Sequence, residues 1–569
     1  MAKRILVIGA VALGPKAASR CKRLMPDADV TLVDQTGRIS YGGCGIPYFI
    51  SDEVKNVAEL QSTPYGAVRD AQFFANHKDI KVLTNCRATR INRAEKAVAV
   101  QNLMDGASST LAYDSLVLAL GSAPNMPPIP GVELQGISAA TNLDEAEYIK
   151  DSLRGKRVSH AVVVGGGFIG LELAVAIGEM WEIPTSVIEI APQVLPNFLS
   201  ADFARMAQQD LASKNIAVYT DEKVLRFEGE NGRVTRVVTD KREIPAGLVI
   251  MAAGVHPNTD IAKEAGLRVT EKGLLVVDAH MRTSDPDIYA GGDCVTIPNQ
   301  VTGKPGWYPL GSMANRQGRV IGTNVSGGNE RFEGAVGSWG VKLCALNAAG
   351  AGLTLDSALR EGFDAISVQV TQADRAHFFP TKAAMSMELV VDRKTKRVLG
   401  VQGVSPTGDA LAARINPVAA LLSHKVTVAD ISNLEVLYSP PFASAMDIVN
   451  TLGNAADNVL SGSYKPMKPE EFDAAWANRD KEDFYLLDAR PGAMGAALEK
   501  KFPGRWHSIP QDEVEKRLEE IPADKPIIIT CSTGLRAYEA QLVLTNAGRT
   551  DTKAVSGGVT ASTRFGTAL

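Results

Sequence analysis

Apolar and polar positions change period several times along the chain. Arg4–Gly9 is a short apolar run closed by a glycine, which predicts a buried strand; helical spacing follows to about Leu24, and Asp29–Val33 predicts a second strand ending at Asp34. The same order recurs near the middle, with strand Ala161–Val164, turn Gly165–Gly170, helix Leu171–Met180 and strand Thr185–Ile188 ending at Glu189. Two βαβ openings imply two nucleotide sites. From about Asn329 to Asn454 strand-like runs appear (Ala365–Gln369, Ser386–Asp392, Arg397–Val404), followed by helical stretches, as in an α+β domain. Leu460–Pro469 is polar with prolines and reads as a linker, and the remainder alternates strand and helix like a small α/β unit.

Composition narrows the function classes. At 569 residues several domains are expected. A net charge of −4 gives no global attraction to nucleic acid or acidic membranes, so any anion site must be local. The apolar run at the start is too short for a secretory leader, and none is long enough to span a bilayer; a cytoplasmic enzyme is the expectation. Six scattered cysteines make neither a disulfide framework nor a Cys-x-x-Cys metal site, so no metal is expected.

The first turn, Gly9-Ala10-Val11-Ala12-Leu13-Gly14, has Val11 in place of the middle glycine of G-x-G-x-x-G, but keeps its strand, its helix and Asp34 twenty residues past Gly14. Such a turn brings pyrophosphate to a helix N-terminus, and the carboxylate binds ribose hydroxyls. The second turn has all three glycines, Gly165, Gly167 and Gly170, with Phe168 and Ile169 between the last two and Glu189 nineteen residues on. Glu189 opposes a 2′-phosphate, so NADH is expected, with NADPH as the alternative.

Together with Tyr113–Pro124 (YDSLVLALGSAP) and Asp285–Cys294 (DPDIYAGGDC), these motifs make roughly residues 1–455 resemble the flavoprotein disulfide reductases with two dinucleotide-binding domains. The resemblance implies that Asp293 binds the FAD ribityl chain and that Ser40, Ala119, Gly121 and Gly254 are further cofactor contacts. Glutathione reductase-like members carry two cysteines five positions apart; here Cys44, in Gly42-Gly43-Cys44-Gly45, is followed at that spacing by Phe49. Cys44 is therefore expected to act alone, with a pKa lowered by the helix that follows. Peroxidases and oxidases of this branch carry a histidine where Ala12 stands, so the chain is more similar to coenzyme A-disulfide and NADH-dependent persulfide reductases.

Lys16, Arg20 and Arg23 share one face of the first helix and match positions that hold coenzyme A phosphates in relatives; a solvated basic face is the competing reading. Tyr438, in YSPPF, resembles a tyrosine that reaches the partner subunit's cysteine site, which implies a homodimer and a proton donor or orienter. A half-buried core tyrosine is the alternative. The second tyrosine of relatives is absent from His377-Phe378-Phe379-Pro380. Residues 469–569 resemble a rhodanese domain: a strand delivers Cys531 into a loop whose backbone amides and Arg536 form an anion nest.

The expected fold is α/β: two Rossmann-like domains, for FAD (1–153 and 271–328) and NAD(P)H (154–270), an α+β dimerisation domain (329–455), a linker (456–468) and an α/β rhodanese-like domain (469–569). The expected activity is reduction of small disulfides, persulfides or polysulfides with FAD, NADH and coenzyme A. An NADH peroxidase or oxidase using a Cys44 sulfenate, and a sulfur-carrier or redox-sensor module, are the alternatives.

Overall fold

Residues 2–569 are described by a computed structural model. They form two compact units, Met1–Ile188 with Glu222–Ala335, and Glu189–Asp221 with Val336–Leu569.

The first unit opens with β1 (Arg4–Ile8), α1 (Leu13–Leu24), β2 (Asp29–Val33) and the short helix α2 (Ile46–Ile50). After β3 (Ser115–Leu118) and α3 (Leu143–Arg154), the pattern repeats as β4 (Ala161–Val164), α4 (Phe168–Gly178) and β5 (Thr185–Ile188); β6 (Leu248–Met251), β7 (Ile288–Ala290) and α5 (Gly311–Val325) follow. One sheet runs β7-β3-β1-β2 with Lys81–Leu83 outermost, and its pairings are parallel. Leu6, Val7, Leu32, Val33 and Leu116–Leu118 are buried, which is why these strands read as continuous apolar runs rather than alternating ones. Ile8 stands opposite both Val33 and Leu118, so three carboxyl ends finish at one level and open a crevice beyond them. In the second sheet β4 lies between β5 and β6, with Ile137–Ser138 beyond β6. Helix α4 begins at Phe168, three residues earlier than its apolar run suggests, because Gly167 already serves as its N-cap.

In the second unit, β8 (Ala365–Ala373), β9 (Ala384–Asp392) and β10 (Val398–Ser405) form an antiparallel sheet with Asn347–Gly352 and Trp339–Lys342. Helix α6 (Ile448–Leu460) leads into β11 (Pro466–Met467), β12 (Tyr485–Asp488), β13 (Ile527–Thr530), α7 (Leu535–Asn546), β14 (Thr552–Val555) and α8 (Gly558–Phe565). The tail sheet is parallel, in the order β11-β14-β13-β12-Trp506–Ser508.

Two expectations change here. The stretch 456–468 is not a free linker. It holds the last turn of α6 and all of β11, Tyr464 is buried, and Lys465 exchanges hydrogen bonds with the Gln541 side chain. The span 154–270 is also divided between the units. Helix Ala201–Ala212 packs in the second, where Asp202 accepts from the Gln369 amide (2.8 Å) and from the Glu470 N–H (2.9 Å). Gln369 also donates to Glu388, which faces Lys468 at 3.8 Å, and Arg564 donates to the Ala384 carbonyl, so the tail is fastened to the antiparallel sheet by buried polar contacts. Among the described residues no helix is long and apolar enough to cross a membrane, and no cluster of His, Cys, Asp or Glu could hold a metal ion.

Candidate active site

The glycine turns are dictated by close approach. A Cβ at Gly9 would lie 2.1 Å from the Ala119 carbonyl oxygen, and one at Gly14 would lie 1.8 Å from the Gly9 carbonyl; Gly165 and Gly170 repeat the arrangement against Ala252 and Gly165. Asp34 accepts the Ala10 N–H (2.7 Å) and the Thr36 N–H (2.8 Å), which fixes its carboxylate beyond β2. Ser40 donates its N–H to the Ala10 carbonyl (2.7 Å), and Ala119 donates to Ile8, so both line the turn. Gly254 accepts from Asn125.

The arrangement fits two dinucleotides. The N-caps Ala12 and Gly167 make no side-chain cap bond, leaving the amides of both helix starts for pyrophosphate, and at Gly121 and Gly167 a Cβ would meet nothing within 4 Å. Asp293 is held at one carboxylate oxygen by the Ser122 hydroxyl (2.9 Å), and burial raises its pKa. Glu189 follows β5 directly in the chain, is buried, and accepts the Ala191 N–H at 2.8 Å.

Cys44 sits in a 3-10 turn (Gly43–Gly45) that runs into α2, and Gly311, the first residue of α5, lies against it: a Cβ there would be 3.9 Å from Sγ. Phe49, at the spacing where relatives carry a second cysteine, is buried. The expected lowering of the Cys44 pKa is not found. Although the residue is exposed, the protein packed behind the thiol withdraws hydration and pushes its pKa up, and the Glu172 carboxylate adds to the shift.

Lys16 and Arg23 on α1 are exposed, whereas Arg20 is committed in part to its own fold, donating to Thr323 Oγ1 (3.1 Å) and standing 3.9 Å from Glu330. Arg319 on α5 approaches the same Glu330 at 3.6 Å and enlarges the basic face.

The model of the pyridine nucleotide-disulphide oxidoreductases matches residues 3–318, and that of their dimerisation domain matches residues 339–449. The chain belongs to this family. A CoA-dependent NAD(P)H sulfur oxidoreductase of Pyrococcus abyssi is 33% identical over 445 residues, 78% of this chain and 96% of the relative. An NADH oxidase of Enterococcus faecalis is 30% identical over 459 residues, 80% of this chain and 99% of the relative. Among solved structures, an NAD-dependent persulfide reductase from A. fulgidus superposes with TM-score 0.92 at 37% identity, covering 98% of this chain and 99% of that one. The protein is thus a flavin-dependent pyridine nucleotide-disulphide oxidoreductase, with FAD and NAD(P)H as cofactors.

The oxidoreductase carries a second candidate centre in its tail. Cys531 follows β13, is 2% exposed, and its Sγ accepts the Gly534 N–H at 3.1 Å. Close packing of α8 sets the loop: a Cβ at Gly558 would lie 2.1 Å from the Cys531 carbonyl, which instead accepts the Val559 N–H. Arg536, in the first turn of α7, is exposed. Tyr438 in the same unit is 51% exposed, in an exposed apolar run with Leu437 and Phe442.

Several residues of these sites escape a reading of the sequence. Lys150 on α3 is fully buried, with Nζ 3.9 Å over the Phe49 ring and 2.9 Å from Asp52. Trp181 donates to the Ile50 carbonyl (2.7 Å), so the C-terminus of α2 is braced twice. Tyr464 packs edge-on against Tyr538 beside Cys531, and burial pushes its phenol up to about 12. Glu172 is the one charged side chain in α4, which is otherwise apolar; that interruption is its signal.

Proposed function

We propose that the chain is an NAD(P)H-dependent reductase of persulfides, polysulfides and coenzyme A-linked disulfides, with Cys44 as the attacking thiolate and a rhodanese-like tail whose Cys531 handles sulfane sulfur. The observation that carries this reading is that Cys44 is the one exposed cysteine of six free ones and has Phe49 where a pairing cysteine would stand. It cannot close a local disulfide, so its turnover passes through a bond to the substrate's sulfur.

The Cys44 thiolate attacks the inner sulfur of a persulfide R–S–SH. The S–S bond breaks, hydrosulfide leaves, and R–S–S–Cys44 remains. Bound FAD supplies the relay by which two electrons from NAD(P)H release R–S⁻ and restore the thiolate. Gly9, Ala10, Gly14, Asp34, Ser40, Ala119, Gly121 and Asp293 hold FAD; Gly165, Gly167, Phe168, Ile169, Gly170, Gly254 and Glu189 hold the pyridine nucleotide, with Glu189 favouring NADH. Lys16, Arg20 and Arg23 bind coenzyme A phosphates, Lys16 and Arg23 with cations facing solvent. Exposed Leu437, Tyr438 and Phe442 become covered in a homodimer, where Tyr438 serves as proton donor or orienter to the partner subunit's Cys44. In the tail, the Gly534 amide and Arg536 stabilise a thiolate or persulfide on Cys531. The thiol arm of coenzyme A carries sulfur between the two cysteines.

Cys44→Ser retains yellow flavin and loses NADH-dependent persulfide and disulfide reduction; wild-type turnover by this variant refutes the reading. The similarity to NADH oxidases supports a second reading, oxygen reduction through a Cys44 sulfenate. NADH consumption in air without a sulfur compound, at a rate matching that with persulfide, decides for it.

A further inference from the structure

Helix α4 is buried along nearly its whole length, yet it carries one carboxyl group, Glu172. A carboxylate in such a place is costly unless its environment uses it. Tyr48, four residues after Cys44 on α2, donates its hydroxyl to Glu172 Oε1 at 3.5 Å. The carboxyl therefore lies across from the turn that carries the reactive sulfur. Helix α2 has little freedom to move away, being held by Trp181 at Ile50 and by Lys150 at Phe49.

We propose that Glu172 is a positioning residue that shares one negative charge with Cys44: the carboxyl takes up a proton as the thiolate forms and gives it up as the thiolate's charge leaves with hydrosulfide. This rests on the reading of Cys44 as the attacking thiolate. In the resting pair, Cys44–SH with Glu172–COO⁻ converts to Cys44–S⁻ with Glu172–COOH, and the total charge is unchanged. When R–S–S–Cys44 and hydrosulfide form, Glu172 releases its proton. The site then neither accumulates two anions nor loses its anion altogether.

The surrounding groups fit this exchange. Burial raises the Glu172 carboxyl to about 7, with the Tyr48 hydrogen bond opposing the shift, so it titrates where the enzyme works. Burial also raises the thiol, and Glu172 and then Asp293 add to the shift. The Tyr48 phenol is raised by burial and then by Glu172 and Glu53. On the remaining side of α2, the Lys150 ammonium is committed to Asp52 and the Phe49 ring. The start of α5, whose N-cap Leu310 makes no side-chain bond, presents its positive end near Sγ and favours the thiolate. Glu172 thus sets when that thiolate is present.

The test is the pH dependence of Cys44 alkylation by iodoacetamide, followed on the Cys44 peptide by mass spectrometry in flavin-loaded, reduced protein. Wild type gives a broad profile with a step near neutrality. Removing the like charge in Glu172→Gln removes the step and lowers the thiol's midpoint, so alkylation at pH 7.5 rises by about threefold to tenfold, up to one pKa unit of like-charge interaction. Tyr48→Phe removes the bond that holds the carboxyl down, so the step moves to higher pH without disappearing. Should Glu172→Gln fail to bind flavin, Tyr48→Phe decides alone, and an unmoved step overturns the pair. An unchanged profile in Glu172→Gln with normal persulfide turnover overturns the pair and leaves the function. The expected profiles in a protein that reduces no sulfur compound overturn the function and leave the pair.

Discussion

Lys150→Met isolates what a buried ammonium does for the cysteine turn. Methionine keeps most of the stem volume and removes the charge. Three contacts are lost: the hydrogen bond to the Val54 carbonyl (3.1 Å), the ion pair with Asp52 (2.9 Å) and the cation over the Phe49 ring (3.9 Å). A charge-assisted hydrogen bond contributes about 1.5–3 kcal/mol net, and a desolvated cation–π contact about 2 kcal/mol. Asp52 loses little, because its side chain is partly solvated and keeps Lys55 and Arg154 at 2.9 Å each. No longer burying an ammonium returns on the order of 2 kcal/mol. The balance is a loss of about 2 kcal/mol, roughly a 30-fold increase in local opening. It is read by hydrogen exchange at the Ser51, Asp52 and Val54 amides, which bond to Pro47, Phe49 and Tyr48. Protection unchanged within about threefold, or increased, refutes the claim that Lys150 clamps α2, and places this pair among those that a hydrophobic residue replaces without loss.

Glu189→Ala should raise kcat/KM for NADPH relative to NADH by about tenfold or more, the loss of one repulsive contact; a clear NADPH preference in wild type sinks the assignment. Arg23→Ala should raise KM for coenzyme A persulfide about fivefold to tenfold and barely affect inorganic polysulfide, as steady-state kinetics with both substrates will tell. Equal effects point to a structural role. Cys531→Ser should abolish sulfur transfer from thiosulfate to cyanide while sparing direct reduction of small disulfides; transfer that persists assigns the tail another purpose.

The parts of the fold governed by local period were legible in the sequence. The β1–α1–β2 and β4–α4–β5 openings follow from apolar runs meeting glycine turns, and Gly9, Gly14, Gly165 and Gly170 are where only a missing Cβ allows the approach. Cys44 and Cys531 stood out because each lies beside glycines. What escaped depends on neighbours far along the chain. Lys150 sits in LDEAEYIKDSLR and reads as a solvated lysine until α2 covers it. Tyr464, in a Ser-Gly-Ser-Tyr stretch, looks like linker until the tail sheet closes over it. The Cys44 pKa was misjudged because the helix after it was weighed without Glu172, which arrives from α4, more than a hundred residues later.

The strand β11 also bears on modularity. It is an edge strand, and its partner β14 would otherwise carry unsatisfied amides and carbonyls beside a hydrophobic core. A proteolytic nick or a recombination breakpoint between 461 and 468 would leave that edge bare and strip the cysteine loop of its tyrosine, and a tail begun at Pro469 should self-associate. A breakpoint before Asn458, whose carbonyl receives the Tyr464 amide, would carry the edge along. The seam between reductase and tail therefore lies inside a helix rather than in the polar stretch after it, and the tail can be exchanged between chains only together with the end of α6.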